Sequence, residues 1–254
     1  MIAGTALVTG PTAGIGRAFA EALGSRGHDL VLVARDAQRL DELAEHLRAK
    51  HGVEVEVIVA DLADRSATAR VEARLAEPER PVSILVNNAG FGHKQPFTEN
   101  SVEDEQEMLD VLVTAVMRLS HAAIGPMLER GEGAIVNVSS VAAFLPRGTY
   151  SAAKRYVVSF SEWLDVTYRD RGVRCLAVCP GFVKTEFHER MGVGRGSAPS
   201  WLWLDADRLV EEALDDLARG KTISVPSKRY KAITALVRYG PTGFLGRFQR
   251  LGRK

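Results

Sequence analysis

Tyr150 and Lys154 stand four residues apart. On a helix that spacing puts both side chains on one face. An ordinary tyrosine titrates near pH 10 and is a poor acid–base catalyst at neutral pH. A nearby ammonium favours the phenolate and lowers that value. The pair therefore suits proton transfer, unless it is one of the many Tyr–Lys pairs on helix surfaces. Ser139 and Ser140 close an apolar run at 134–138. A hydroxyl there can polarise a carbonyl oxygen, or simply form the turn after a strand. The third constellation is Thr9-Gly10-Pro11-Thr12-Ala13-Gly14-Ile15-Gly16. It lies between an apolar run at 6–8 and a helical pattern carrying Phe19, Ala20 and Leu23. Residues without a Cβ let the backbone bend sharply and let a ligand approach closely. The following helix points N–H groups and a positive dipole end at the turn. A dinucleotide pyrophosphate fits that description, as does an ordinary glycine-rich turn.

These groups need a scaffold. Short apolar runs at 29–34, 53–59, 83–86, 134–138, 173–178 and 222–225 read as strands, in addition to 6–8. Between them lie helical patterns at about 36–50, 65–76, 101–130, a stretch of about 20 residues from Tyr150, and 206–219. The long pattern at 101–130 is expected to break near Gly125-Pro126. Regular alternation predicts an α/β fold with a doubly wound parallel sheet of about seven strands and helices on both faces. Ligands of such sheets bind at the carboxyl ends of the strands. Arg35, Asp61, Asn87 to Gly90, Ser139, Ser140 and Pro180-Gly181 all fall at those ends. One domain is expected over residues 1–227, with a loop-like stretch at 184–205 and a basic tail at 228–254 packed on it.

The chain has 254 residues, 46% of them hydrophobic, and a net charge of +1. That balance argues against a general nucleic-acid binder. No acid follows Asp216, whereas ten Lys and Arg do. No stretch reads as long and apolar enough to span a bilayer, and the start runs straight into a strand, so no signal peptide is expected. Cys175 and Cys179 sit about 13 Å apart if they share one strand, too far for a disulfide. Buried reduced thiols and a cytoplasmic location are expected, with no metal site.

Taken together, TGPTAGIG at 9–16, Asp61-Leu62, NNAG at 87–90, Ser139-Ser140, Tyr150-Ser-Ala-Ala-Lys154 and Pro180-Gly181 resemble the short-chain dehydrogenase/reductase family. The resemblance covers residues 5–225 and implies a Rossmann-type fold. It also implies that Tyr150 exchanges a proton with the carbonyl or alcohol oxygen. Lys154 would lower the tyrosine pKa and hold the nicotinamide ribose. Ser140 would hydrogen-bond the carbonyl oxygen, with Ser139 the alternative because the stretch from Ser140 to Tyr150 is short for the family. Gly10, Thr12, Gly14, Ile15 and Gly16 would cradle the pyrophosphate. Asp61 and Leu62 would meet the adenine, and Asn88, Ala89 and Gly90 would border the cofactor. Pro180, Gly181, Val183 and Thr185 would lie along the nicotinamide.

Family members that prefer NAD usually end the second strand with an acid for the ribose 2′-hydroxyl. Here Ala34 is followed by Arg35. A guanidinium grips a 2′-phosphate through two hydrogen bonds, so NADP(H) is the expected cofactor, with Asp36 pointing elsewhere. One departure concerns the helix after NNAG. The family usually places an asparagine where this chain has Leu112, and that amide steadies a local helix distortion.

The implied activity is NADP(H)-dependent interconversion of a carbonyl and an alcohol. The expected substrate is apolar: a ketoacyl, steroid-like or other bulky ketone or aldehyde. Leu112 leaves open an NADP(H)-binding sensor or scaffold with little turnover. Trp201 and Trp203 suit either a substrate wall or the core, His93 and His188 suit exposed loops, and Arg147 could meet an acidic substrate group. Val157, Val158, Phe160, Trp163, Leu164 and Val166 make one helix apolar over most of its circumference. A homodimer or homotetramer is therefore expected. Phe244, Leu245, Phe248 and Leu251 recur at helical spacing among Arg247, Arg250, Arg253 and Lys254. That basic amphipathic tail suits packing within the oligomer or weak contact with an anionic membrane surface.

Overall fold

A computed structural model describes residues 4–185 and 199–239. Its strands are β1 Thr5–Thr9, β2 Leu30–Ala34, β3 Val55–Val59, β4 Val82–Asn87, β5 Gly133–Val138, β6 Val173–Val178 and β7 Ile223–Ser224. They form one sheet in the order β3-β2-β1-β4-β5-β6-β7, and every neighbouring pair is parallel. The helices are α1 Gly14–Gly24, α2 Ala37–His51, α3 Arg65–Leu75, α4 Val102–Leu109, α5 Val116–Arg130, α6 Thr149–Tyr168, α7 Ala206–Ala218 and α8 Lys228–Tyr239.

The strands read as unbroken apolar runs because both faces are covered. Ala6, Val8, Leu30, Leu32, Ile84, Val86, Val136 and Leu176 face one core, with Phe19 and Leu23 of α1, Leu40 and Leu47 of α2, and Leu209 of α7. Leu7, Val31, Val33, Leu85 and Ile135 face the other core, with Val71 and Leu75 of α3, Leu119 and Met127 of α5, and Leu164 of α6. Cys175 and Cys179 are buried and reduced, as expected.

Two expectations change. Helix α5 runs straight through Pro126 to Arg130. Buried Leu119, Ala123 and Met127 hold it on both sides of the proline, and that packing outweighs the roughly 3 kcal/mol such a residue costs. A helical distortion does lie at the Leu112 position: Asp110–Ala115 is a π-helical segment between α4 and α5. By length and composition Val102–Arg130 could cross a membrane, against the sequence expectation; its hydropathy is accounted for by the residues it gives to the second core. Within the basic stretch that begins at 228, residues 228–239 form α8. His188 and the amphipathic pattern at 244–254 lie outside the described residues.

One ionic cluster ties α1 to α2. Glu21 on α1 accepts hydrogen bonds from Nε2 of His46 at 2.8 Å, Nε2 of His51 at 2.9 Å and Nζ of Lys50 at 3.0 Å. Burial alone would raise the Glu21 pKa, but the bonds from His51, Lys50 and His46 outweigh it and hold the carboxyl at about 2, against an ordinary 4.5. A depressed acid stabilises the fold fully above its unfolded value, and that contribution is lost as pH falls toward the folded value. Urea unfolding at stepped pH should therefore show wild type losing on the order of 3 kcal/mol more than Glu21→Gln between the two values. Parallel losses in both proteins would show that the cluster contributes nothing to stability.

Candidate active site

The carboxyl ends of β1, β2, β4, β5 and β6 open onto one cleft of about 950 Å³. Its floor is set where β1 meets β4. The Thr9 hydroxyl accepts from the backbone N–H groups of Asn88 and Ala89, each at 2.9 Å. The Asn88 amide returns two bonds, to the carbonyls of Thr9 at 2.9 Å and Gly10 at 3.0 Å. Gly10 and Gly14 hold φ of +64° and +56°, which favours glycine. A Cβ at Gly16 would fall 2.2 Å from the Gly10 carbonyl oxygen, so α1 packs on the turn as closely as a glycine allows.

Helices α2, α3, α4 and α7 begin with side-chain caps from Asp36, Asp64, Ser101 and Asp205. Helix α1 begins at Ala13 with none. The first N–H groups of a helix need a partner, and at α1 they meet the cleft, as an anion site requires. Asp36 is occupied as the α2 cap, accepting from the Arg39 N–H at 3.1 Å, and lines the cleft beside Arg35. Arg35 lies 3.6 Å from Asp61 in an exposed pair, which contributes little and exchanges readily. Asp61 also accepts from the Ala63 N–H at 3.0 Å, a turn role. Arg39 was not foreseen. It lines the same end of the cleft and donates to the Thr12 carbonyl at 3.0 Å. The charge logic that singles out Arg35 could have reached it, one helical turn further on.

Ser140, Tyr150 and Lys154 come together in the middle of the cleft. The Ser140 hydroxyl bonds the Tyr150 phenol and accepts from the Ala142 N–H at 3.1 Å. Ser139 borders the cleft too, but its buried hydroxyl is committed to the Lys154 carbonyl at 2.7 Å. Lys154 Nζ donates to the Val138 carbonyl at 2.8 Å and lies 5.8 Å from the Tyr150 ring centroid. The expected lowering of the tyrosine pKa is not found. Burial pushes the Tyr150 phenol up to about 12, and the Ser140 bond offsets only part of this. Burial likewise pulls the Lys154 ammonium down to about 8. The ammonium sits beside the ring and is engaged by a carbonyl, so removal from water outweighs charge attraction.

Leu112 is fully buried within the π-helical segment. It packs with Met108 and Ala153, next to Tyr150 and Phe91. A Cβ at Gly90 would come within 2.7 Å of the Leu112 side chain. The distortion thus forms without an amide, and an apolar side chain fills the space behind the tyrosine.

The remaining walls are unequal. Val141, Leu145, Phe182, Leu202, Tyr230 and Ile233 supply an apolar stretch; Glu107, His93 and Arg147 supply polar groups. Neither tryptophan lines the cleft. Trp203 packs against Phe182, with ring centroids 5.6 Å apart, Trp201 is exposed, and Leu202 between them faces inward. His93 is more than a solvated loop residue, since its Nε2 bonds the Asp104 carbonyl at 3.0 Å. Ile15, Leu62, Ala89, Pro180, Gly181, Val183 and Thr185 all line the cleft as anticipated. Tyr230 was missed because its helix falls in the stretch read only as a basic tail, although Ser227 before it is a capping type.

Residues 4–194 match the family model for short chain dehydrogenase. The very-long-chain 3-oxoacyl-CoA reductase of Anas platyrhynchos is 35% identical over 189 residues, covering 71% of this chain and 60% of that protein. The chain thus spans about 60% of the length of that relative. A short-chain dehydrogenase from Sphingobium yanoikuyae, solved in complex with NADPH, superposes with a TM-score of 0.85 at 37% identity, over 91% of this chain and 92% of that one. The bulky-bulky ketone specific alcohol dehydrogenase of Comamonas testosteroni superposes at 0.80 with 32% identity, over 94% and 95%.

Leu112→Asn should lower stability by about 2–4 kcal/mol, because it buries an amide among apolar side chains. Chemical denaturation would show a lower midpoint at unchanged slope. An unchanged midpoint with faster turnover would mean that the site accepts the amide as the family pattern implies.

Proposed function

The chain belongs to the short-chain dehydrogenase family, and from that premise we propose that it interconverts a carbonyl and an alcohol, using NADP(H), on a substrate with a bulky apolar group. One observation carries the proposal: Ser140, Tyr150 and Lys154 meet in a cleft whose far end combines an uncapped helix start with Arg35 and Arg39. The NADPH-bound relative from Sphingobium yanoikuyae supports the same reading.

The nicotinamide cofactor supplies or accepts the hydride; the rest of the chemistry falls to the chain. Gly10, Thr12, Gly14, Ile15 and Gly16 with the first amides of α1 would hold the pyrophosphate. Arg35 and Arg39 would meet the 2′-phosphate. Asp61 and Leu62 would border the adenine, and Asn88, Ala89 and Gly90 would border the cofactor. Pro180, Gly181, Val183 and Thr185 would hold the nicotinamide end. The Ser140 hydroxyl donates to the substrate carbonyl oxygen and fixes it beside Tyr150. With its pKa near 12 the Tyr150 phenol is protonated at neutral pH, so it can donate a proton to the oxygen during reduction. Lys154 stabilises the phenolate left behind. Ser139 holds the Lys154 backbone and takes no part in the chemistry. The apolar walls of the substrate end suit a ketoacyl, steroid-like or other bulky carbonyl.

Helix α6 supports a homo-oligomer. Its outer face carries Tyr156, Phe160 and Trp163 in a stacked series, with centroids 5.6 and 6.0 Å apart. Trp163 and Val166 are 54% and 72% exposed, and with Tyr156 and Phe160 they extend an exposed apolar patch of the kind that marks interaction surfaces.

Tyr150→Phe should reduce NADPH-dependent turnover of a bulky ketone by about 10²–10⁴-fold while NADPH binding is kept. Ser140→Ala should lose activity and Ser139→Ala mainly stability. Full activity in Tyr150→Phe would overturn the mechanism. In Arg35→Ala, calorimetric titration should show NADPH binding weakened by roughly tenfold or more and NADH binding nearly unchanged. Equal losses for the two cofactors would rule out the 2′-phosphate contact.

A further inference from the structure

Helix α8 meets the cleft through Tyr230 and Ile233, and Arg229 at its exposed edge donates to the Trp201 carbonyl at 2.6 Å. Tyr230 is 3% exposed. Its hydroxyl accepts from the Phe182 N–H at 3.0 Å and donates to the Leu202 carbonyl at 2.9 Å. Its ring lies flat against Gly181, where a Cβ would fall 1.9 Å from the ring carbon bearing the hydroxyl. Three separate stretches of chain thus meet at one phenol: the loop after β6, the 3₁₀ turn Ser200–Leu202 and α8. On its other side α8 is tied to α7. Glu212 accepts from the Ser227 N–H at 2.9 Å and from Lys231 Nζ at 2.5 Å.

All three stretches line the cleft, through Phe182, Leu202 and Ile233 as well as Tyr230. We infer that Tyr230 is a positioning residue for substrate specificity: it clamps these three stretches into one rigid apolar wall shaped for the large group of the substrate. This rests on the carbonyl-reductase reading above. Both hydrogen-bond partners of the hydroxyl are backbone groups, so Tyr230 takes no part in proton transfer. Burial holds the phenol at about 12, so it keeps its proton at neutral pH and can donate and accept together. A small aldehyde does not fill the apolar end of the cleft and has little need of the wall. A ketone with two large substituents presses one of them against it.

Tyr230→Phe keeps the ring over Gly181 and removes both hydrogen bonds. We expect KM for a diaryl ketone such as benzophenone to rise about tenfold, the scale of two lost hydrogen bonds. The maximal rate, the affinity for NADPH and the KM for propanal should stay near wild type. Equal losses on both substrates, or none on either, would overturn the inference. Binding gives a readout that does not depend on turnover. Trp203 packs on Phe182, so tryptophan fluorescence can follow benzophenone binding in both proteins. If wild type binds benzophenone and NADPH but reduces no carbonyl, the functional reading fails. The clamp is then still tested, since Tyr230→Phe must weaken benzophenone binding and speed hydrogen exchange at Phe182 while β1 and β4 stay protected. Unchanged binding and exchange would sink it even if wild type proves an active reductase.

Discussion

The exchange of hydrogen bonds between Thr9 and Asn88 is the contact on which the rest of the molecule depends. Strand order reverses direction at β1 and β4, so the sheet opens a crevice there. A crevice between strand ends leaves backbone groups without ladder partners. Thr9 and Asn88 satisfy those groups with each other's side chains. This sets the spacing of the two strand ends and lets α1 settle onto them at Gly16. The uncapped start of α1, the arginines after β2 and the serine after β5 then face a common space.

At the middle of that space, burial and charge oppose each other, and burial prevails. The proximity of a lysine is the usual physical reason given for an acidic tyrosine. Here both groups are drawn away from their charged forms together, the phenol upward and the ammonium downward. The phenol therefore rests protonated at neutral pH, and burial disfavours its charged form. The same dryness explains why Leu112 fits behind the tyrosine, where an amide would need partners the neighbouring side chains do not offer.

What the sequence made legible was whatever depends on near neighbours. The Tyr150–Lys154 pair needs only one turn of helix, and the polar residues at strand ends stand out against apolar runs. The choice between Ser139 and Ser140 was less legible, because it turns on which hydroxyl faces the Lys154 backbone. Pro126 misled for a related reason: a local breaking rule gave way to burial on both sides. Arg39 and Tyr230 stayed hidden because their partners are remote in the chain. Arg39 meets Thr12 across 27 residues, and Tyr230 reaches back 48 residues to Phe182. Helix α8 follows Ser227, a familiar capping type, but the residue is held at φ of +82°, away from the extended backbone of an ordinary cap.

The fit of Leu112 against Gly90 has a consequence for how this chain can vary. Neither position is free while the other stays as it is, because a side chain at 90 needs the volume that Leu112 fills. Substitutions at the two sites will therefore be strongly non-additive. A methyl group at position 90 is unfavourable alone and tolerable once residue 112 has shrunk. A smaller residue at the second position makes room for a larger one at the first, so the two positions vary as one unit behind Tyr150.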